Sequence, residues 1–244
     1  MQEYLRTIDT ADGPMGTFFA VPAGTPAMTV AVLYMDVFGL REELFDLARA
    51  YAQAGHIALI PDLFHRRPKS RFAPVNGKHA KLPPDLVAAN VETTMDMVTS
   101  DTRALIDDVL KEREASTKLG GLRFFAVGYC MGGRHALAVS AQLGEVVGGI
   151  SAHGGMLVTQ DANSPHLLVS QVTVPFHFAF AVDDPTCPYE HQQILRNLAA
   201  ESDRQISAKL YDAAHGWTFP TRWSYDADAA AQIHALALSM MNVD

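Results

Sequence analysis

Three side chains in this sequence could together break an acyl bond: Cys130, Asp184 and His215. A thiolate attacks a carbonyl carbon, an imidazole removes a proton and later returns it, and a carboxylate orients the imidazole and stabilises its charged form. Cys130 lies in Gly128-Tyr129-Cys130-Met131-Gly132-Gly133, after the apolar run 122–127 and before a helical stretch that begins at Arg134 and His135. Strand, Gly-x-Cys-x-Gly and helix is the pattern of a nucleophile elbow. The nucleophile sits on a sharp turn, and glycines two residues before and after leave it room. Asp184 and His215 also follow predicted strands, in the order nucleophile, acid, histidine. Taken singly, each has an ordinary explanation. Free cysteines are commonly buried, and aspartate ahead of Pro185 suits a turn. Asp183 is a close rival for the acid. The joint placement favours chemistry. An oxyanion hole would then come from the backbone N–H of Met131 and from that of Val37, in the loop after an earlier strand.

These groups need a frame to hold them. Apolar runs predict strands at 15–21, 28–35, 56–60, 122–127, 146–152, 174–182 and 206–211. Leu40, Leu44, Leu47, Ala48 and Tyr51 recur at helical spacing. Further helices are predicted over 91–112, after the elbow, over 190–201 and over 226–241. Pro22 to Pro26 reads as a turn cluster, and Glu114 to Gly121 as a polar connection. Strands alternating with helices predict an α/β fold, with a mostly parallel central sheet and helices on both faces. In such sheets ligands gather at the carboxyl ends of the strands, where all three candidates fall. Residues 65–90 show no clear period and carry Arg66, Arg67, Lys69, Arg71, Lys78 and Lys81 among prolines. A stretch of this length is expected to be a lid, a binding loop or a solvated surface loop. No linker or repeat divides the chain, so one domain is expected over 1–244.

Composition narrows the class of function. Hydrophobic residues make up 48%, enough for a sizeable core, and the net charge of −8 argues against nucleic acid as partner. The only cysteines are Cys130 and Cys187, which suits a reducing, cytoplasmic setting rather than a disulfide framework. The ten histidines form no ligand pair, so no metal is expected. No apolar run reaches membrane-spanning length, and the first seven residues lack an apolar signal core.

Four stretches then point to a family: Met35-Asp36-Val37-Phe38-Gly39-Leu40, Ile60-Pro61-Asp62-Leu63-Phe64, the elbow itself, and Asp184-x-x-x-Pro188 with His215-Gly216-Trp217. In these the chain resembles the dienelactone hydrolase family. The resemblance implies an α/β-hydrolase fold and cleavage of a small ester or lactone through a cysteinyl thioester, with no cofactor or metal. It places the acid four residues before a proline, which selects Asp184 over Asp183. It puts Asp36 where the founding enzymes carry a glutamate that contacts the thiol. Asp36 is therefore expected as thiol partner or substrate ligand, with an N-cap of the following helix as the structural alternative. It puts Phe219 where those enzymes carry a carboxylate-binding arginine, with Arg222 close by. Trp217, Phe219 and Arg222 are candidate pocket walls, although core packing accounts for the aromatics equally well. Cys187, three residues after Asp184, is expected to pack. A cysteine amidotransferase is disfavoured, because Trp217 stands where that class carries its glutamate. A binding or regulatory protein on the same fold is the alternative reading.

Overall fold

The structure, a computed structural model, describes residues 1–24, 27–68, 70–78, 80–115, 121–202 and 205–242. The end of the Pro22–Pro26 turn, Lys69 and most of the polar 114–121 connection lie outside the described residues.

The expected α/β architecture is present. The described strands are β1 (Gln2–Thr10), β2 (Gly13–Val21), β3 (Thr29–Tyr34), β4 (Ala58–Pro61), β5 (Arg123–Tyr129), β6 (Val146–Ala152), β7 (Phe176–Asp183) and β8 (Ile206–Ala214). They form one sheet in the order β1-β2-β4-β3-β5-β6-β7-β8. β1 and β2 join antiparallel, as do β2 and β4, and the other neighbouring pairs are parallel. Every residue of β3 is buried, as a strand covered on both faces must be. This explains its uninterrupted apolar run. Fully buried Phe124, Phe125, Phe176, Phe178 and Phe180 fill the core around the parallel strands. Each such ring contributes about 1.5–3 kcal/mol of burial.

The helices are α1 (Glu42–Gln53), α2 (Pro84–Glu92), α3 (Met95–Ala115), α4 (Met131–Gln142), α5 (Tyr189–Glu201) and α6 (Ala227–Met241). Asp226 caps α6 by accepting the Ala229 N–H. Two expectations need correction. The predicted 91–112 helix is two helices, broken at Thr93, whose hydroxyl donates to the Ala89 carbonyl and closes α2. The 65–90 stretch is therefore partly helical, beginning its helix at Pro84. β1 has no counterpart among the predicted strands. Among the described residues, no helix is long and apolar enough to cross a membrane.

Candidate active site

The turn from β5 into α4 carries Cys130 in a backbone conformation that side chains rarely adopt, with φ 53° and ψ −113°. Such a residue costs about 1–3 kcal/mol and persists only where its surroundings over-determine it. They do so here. The Cys130 N–H donates to Ala152 O at 3.1 Å, and its carbonyl accepts from Gly133 N and Gly155 N, each at 3.0 Å. A Cβ on Gly128 would run into the Gly132 carbonyl, and one on Gly132 into the carbonyl of Tyr34. Gly128 thus leaves room within the turn, as the spacing predicts, and Gly132 lets the elbow approach the end of β3.

Asp184 stands one residue beyond β7. Its Oδ1 accepts from Thr186 N at 2.8 Å, Thr186 Oγ1 at 2.7 Å and Cys187 N at 3.2 Å. Its Oδ2 lies 2.8 Å from His215 Nδ1. The acid is locked by its own turn and presents one free oxygen to the imidazole. His215, one residue past β8, is tied by its N–H to Asp183 O at 2.9 Å. With Nδ1 engaged, Nε2 is left for the sulfur. Burial opposes the charged imidazole, but neighbouring Cys130 and Asp184 outweigh it and hold its pKa well above the ordinary value. The structure therefore brings Cys130, His215 and Asp184 together. Asp183 is instead half exposed and paired with Lys78 at 2.7 Å.

Cys130 and His215 open on a cleft of about 380 Å³. Val37, Phe38, Met131, Arg134, Thr186, Phe219, Arg222 and Trp223 line it, and so do Lys78, Ala80 and Leu82 from the 65–90 stretch. Among the described residues, no hydrogen bond within the protein uses the N–H of Val37 or of Met131. Both donors remain available to a ligand. Phe219 is buried on the wall. Arg222 extends over the Phe38 ring at 4.8 Å, and its buried Nε has no hydrogen-bond partner among the described residues.

Asp36 also lines the cleft, as expected of a site residue, but it is 2% exposed and its carboxylate is engaged within the protein. Oδ1 accepts from Phe38 N at 3.1 Å and Arg41 Nη1 at 2.6 Å, and Oδ2 from Arg41 Nη2 at 2.9 Å. It does not cap α1, whose N-cap is Arg41. Trp217 is a core residue: it is fully buried, stacks on Tyr211 at 5.3 Å and has no place on the cleft wall. Its ring also meets that of His153 edge-on at 4.8 Å, and its buried Nε1 has no hydrogen-bond partner among the described residues. Cys187 also packs. It is buried, and burial, then Asp184, push its thiol up to about 12.

Four residues near the site had no assigned role from the sequence: Arg41, Arg134, His153 and Thr186. Arg134 is one helical turn beyond Cys130 and donates from Nη2 to Asn90 O at 2.6 Å, docking the end of α2 beside the cleft. Burial pushes its pKa down to about 10, with Cys130 acting the other way. His153 is wholly buried, with its ring centroid 5.2 Å from that of His215 and Nε2 2.8 Å from Thr218 Oγ1. Burial, then His215, holds its pKa well below the ordinary value. A histidine directly after a strand, ahead of Gly154-Gly155, was the one available signal for it.

The family is decided by comparison with known proteins. The model of the dienelactone hydrolase family matches residues 15–243. The chain belongs to the dienelactone hydrolase family. A Salmonella typhi protein whose name gives carboxymethylenebutenolidase as a provisional activity is 23% identical over 238 residues, covering 93% of this chain and 82% of that protein. A provisionally assigned dienelactone hydrolase of Klebsiella pneumoniae superposes with a TM-score of 0.83 at 19% identity, over 98% of both chains. A dienelactone hydrolase-like promiscuous phosphotriesterase from metagenomic libraries superposes with a TM-score of 0.75 at 18% identity, over 99% of this chain and 98% of that one. As a member of this family the chain is a hydrolase, built on the α/β-hydrolase fold that its elbow predicts.

Proposed function

We propose that this dienelactone hydrolase family member cleaves a carboxylic ester or lactone through a thioester on Cys130. The observation that carries the reading is the 2.8 Å contact between His215 and Asp184 beside a cysteine held in a strained elbow. The Cys130 thiol passes its proton to His215 as the sulfur attacks the acyl carbon, and the carbonyl oxygen takes up the negative charge facing the Val37 and Met131 N–H groups. The tetrahedral adduct collapses, the C–O bond breaks, and His215 gives its proton to the departing alkoxide. His215 then takes a proton from water, whose oxygen attacks the thioester. The second tetrahedral adduct collapses, the C–S bond breaks, the carboxylic acid leaves, and His215 returns the proton to the sulfur to restore the thiol. Asp184 keeps the imidazole in one tautomer throughout. Phe38 and Phe219 offer an apolar wall to the acyl group, and Arg222 offers a cation to a substrate that carries a carboxylate. Gly77, Lys78, Ala80 and Leu82 line the cleft, which supports reading the 65–90 stretch as its lid or binding loop.

The test is hydrolysis of p-nitrophenyl acetate and a panel of small lactones, half of them carrying a carboxylate. Cys130→Ala is expected to lower kcat at least ~10³-fold. In the wild type, mass spectrometry of a quenched reaction is expected to find an acyl group on Cys130. A wild type as inert as Cys130→Ala across the panel would sink the reading and favour a binding protein.

A further inference from the structure

Asp36 and Arg41 enclose a feature that the reaction above does not use. Arg41 donates two bonds to Asp36 and a third from Nε to Glu43 Oε2 at 2.9 Å. The other Glu43 oxygen accepts from Thr221 N at 2.9 Å and Thr221 Oγ1 at 2.7 Å. The Arg41 guanidinium also lies over the Phe219 ring at 4.5 Å and the Phe38 ring at 5.7 Å. One cation is thus tied to the loop holding Val37 and to the loop holding Phe219 and Arg222. Both loops line the cleft, and Arg41 is absent from its wall.

The charges are matched for a permanent contact. A bidentate guanidinium–carboxylate pair fixes orientation as well as distance, which a lysine cannot reproduce. Both Asp36 and Arg41 side chains are largely buried, at 2% and 13% exposed. The pair is therefore little screened, and breaking it leaves a buried charge uncompensated. Burial works against the charged guanidinium, but Asp36 and Glu43 more than offset it and hold its pKa above the ordinary value. The Asp36 carboxylate also accepts the N–H of Phe38, the residue after Val37. It thereby fixes the peptide that follows the proposed oxyanion donor.

We infer that Arg41 is a positioning residue that clamps the Val37 oxyanion loop to the Phe219–Arg222 acyl wall. Asp36 is then the anchor of this clamp rather than a partner of the thiol. The inference rests on the reading of Cys130 as an ester-cleaving nucleophile. It assigns the two halves of the clamp to different kinetic steps. The Asp36 half sets the direction of the Val37 N–H and acts on the transition state. The Glu43 half sets the acyl wall and acts on substrate binding.

Three measurements on Arg41→Lys, Glu43→Gln and wild type test it. Arg41→Lys is expected to lower kcat about tenfold, since small displacements of an oriented group carry rate penalties of this order or larger. Glu43→Gln is expected to raise KM about threefold with kcat within about twofold, the signature of lost uniform binding. Alkylation of Cys130 by iodoacetamide needs no oxyanion hole, so its rate in Arg41→Lys is expected to stay within about twofold of wild type. Alkylation that slows in step with hydrolysis would return Asp36 to the thiol and overturn the inference. Unchanged kcat in Arg41→Lys together with unchanged KM in Glu43→Gln would overturn it as well. Should Arg41→Lys fail to fold, the KM shift of Glu43→Gln decides. A wild type that hydrolyses no ester sinks the parent reading, which these variants do not test.

Discussion

Asp36, after β3, and Asp184, after β7, are built alike. Each follows a buried strand and is itself buried, and each accepts the N–H of the residue two places on, from Phe38 and Thr186 respectively. Asp62, after β4, repeats the device with Phe64 N at 3.0 Å. The turn chemistry is that of aspartate wherever a chain leaves a strand. The difference lies in the partner. Asp36 meets a guanidinium, which keeps its proton throughout the working pH range, so the pair is a fixed strut. Asp184 meets an imidazole, whose proton can come and go, so the same geometry suits the proposed acid–base role of His215. Identical local structure is therefore no guide to role. What the second carboxylate oxygen faces decides it.

That contrast can be broken most directly by removing each charge in turn. Asp184→Asn is expected to lower kcat about 10³–10⁴-fold, because the amide stabilises the wrong tautomer. Asp36→Asn, which leaves the imidazole alone, is expected to cost about tenfold or less, within the range of a displaced positioning group. Steady-state kinetics on one activated ester compares them. Equal losses would mean that the two carboxylates share a role.

A smaller effect concerns pH. His215 has its pKa raised in the fold from 6.5, against burial, by Cys130 and Asp184. A raised imidazole pKa contributes stability that is fully present below the unfolded value and fades as pH rises through the folded one. The wild type should therefore exceed Asp184→Asn in Tm by about 3–6 °C near pH 6, with the gap narrowing as pH rises. Scanning calorimetry from pH 6 to pH 10 reads this directly. The gap for Asp36→Asn should stay level across that range, since Arg41 does not titrate there.

The smallest effect belongs to the turn itself. Thr186 Oγ1 reaches both Asp184 and, at 3.2 Å, His215 Nδ1. Thr186→Val removes one of three bonds to Asp184 Oδ1, and kcat is expected to fall about three- to tenfold, the weight of one net hydrogen bond. No change would show that the two backbone donors alone hold the acid.

Much of this was legible in the sequence, and the exceptions have physical causes. The parallel strands announce themselves because burial on both faces requires unbroken apolar runs, as in β3 and β7. β1 stays hidden for the opposite reason. It is an edge strand with mostly exposed residues, and its charged Glu3 and Arg6 blur any alternation. The elbow, the acid and the histidine could be read because each follows a recognisable strand. The Asp36–Arg41 pair could not: five residues across a loop obey no periodic rule, and only the fold turns the two side chains toward each other. Trp217 was ambiguous for a different reason. A large ring next to His215 suits either a core or a pocket wall, and the neighbouring Tyr211 settles it in favour of the core. Thr93 interrupts an otherwise helical pattern with a side-chain bond to its own backbone, a competition that propensity alone does not reveal.

The chain carries two tryptophans, and the fold gives them unlike optical surroundings. Trp217 is sealed in the core, whereas Trp223 stands at the rim of the cleft with 43% of its surface open to water. Emission from the first reports on intact packing, and emission from the second on what enters the cleft. An external quencher such as iodide reaches only the second. Intrinsic fluorescence can therefore follow cleft occupancy and unfolding as separate signals in an unlabelled sample.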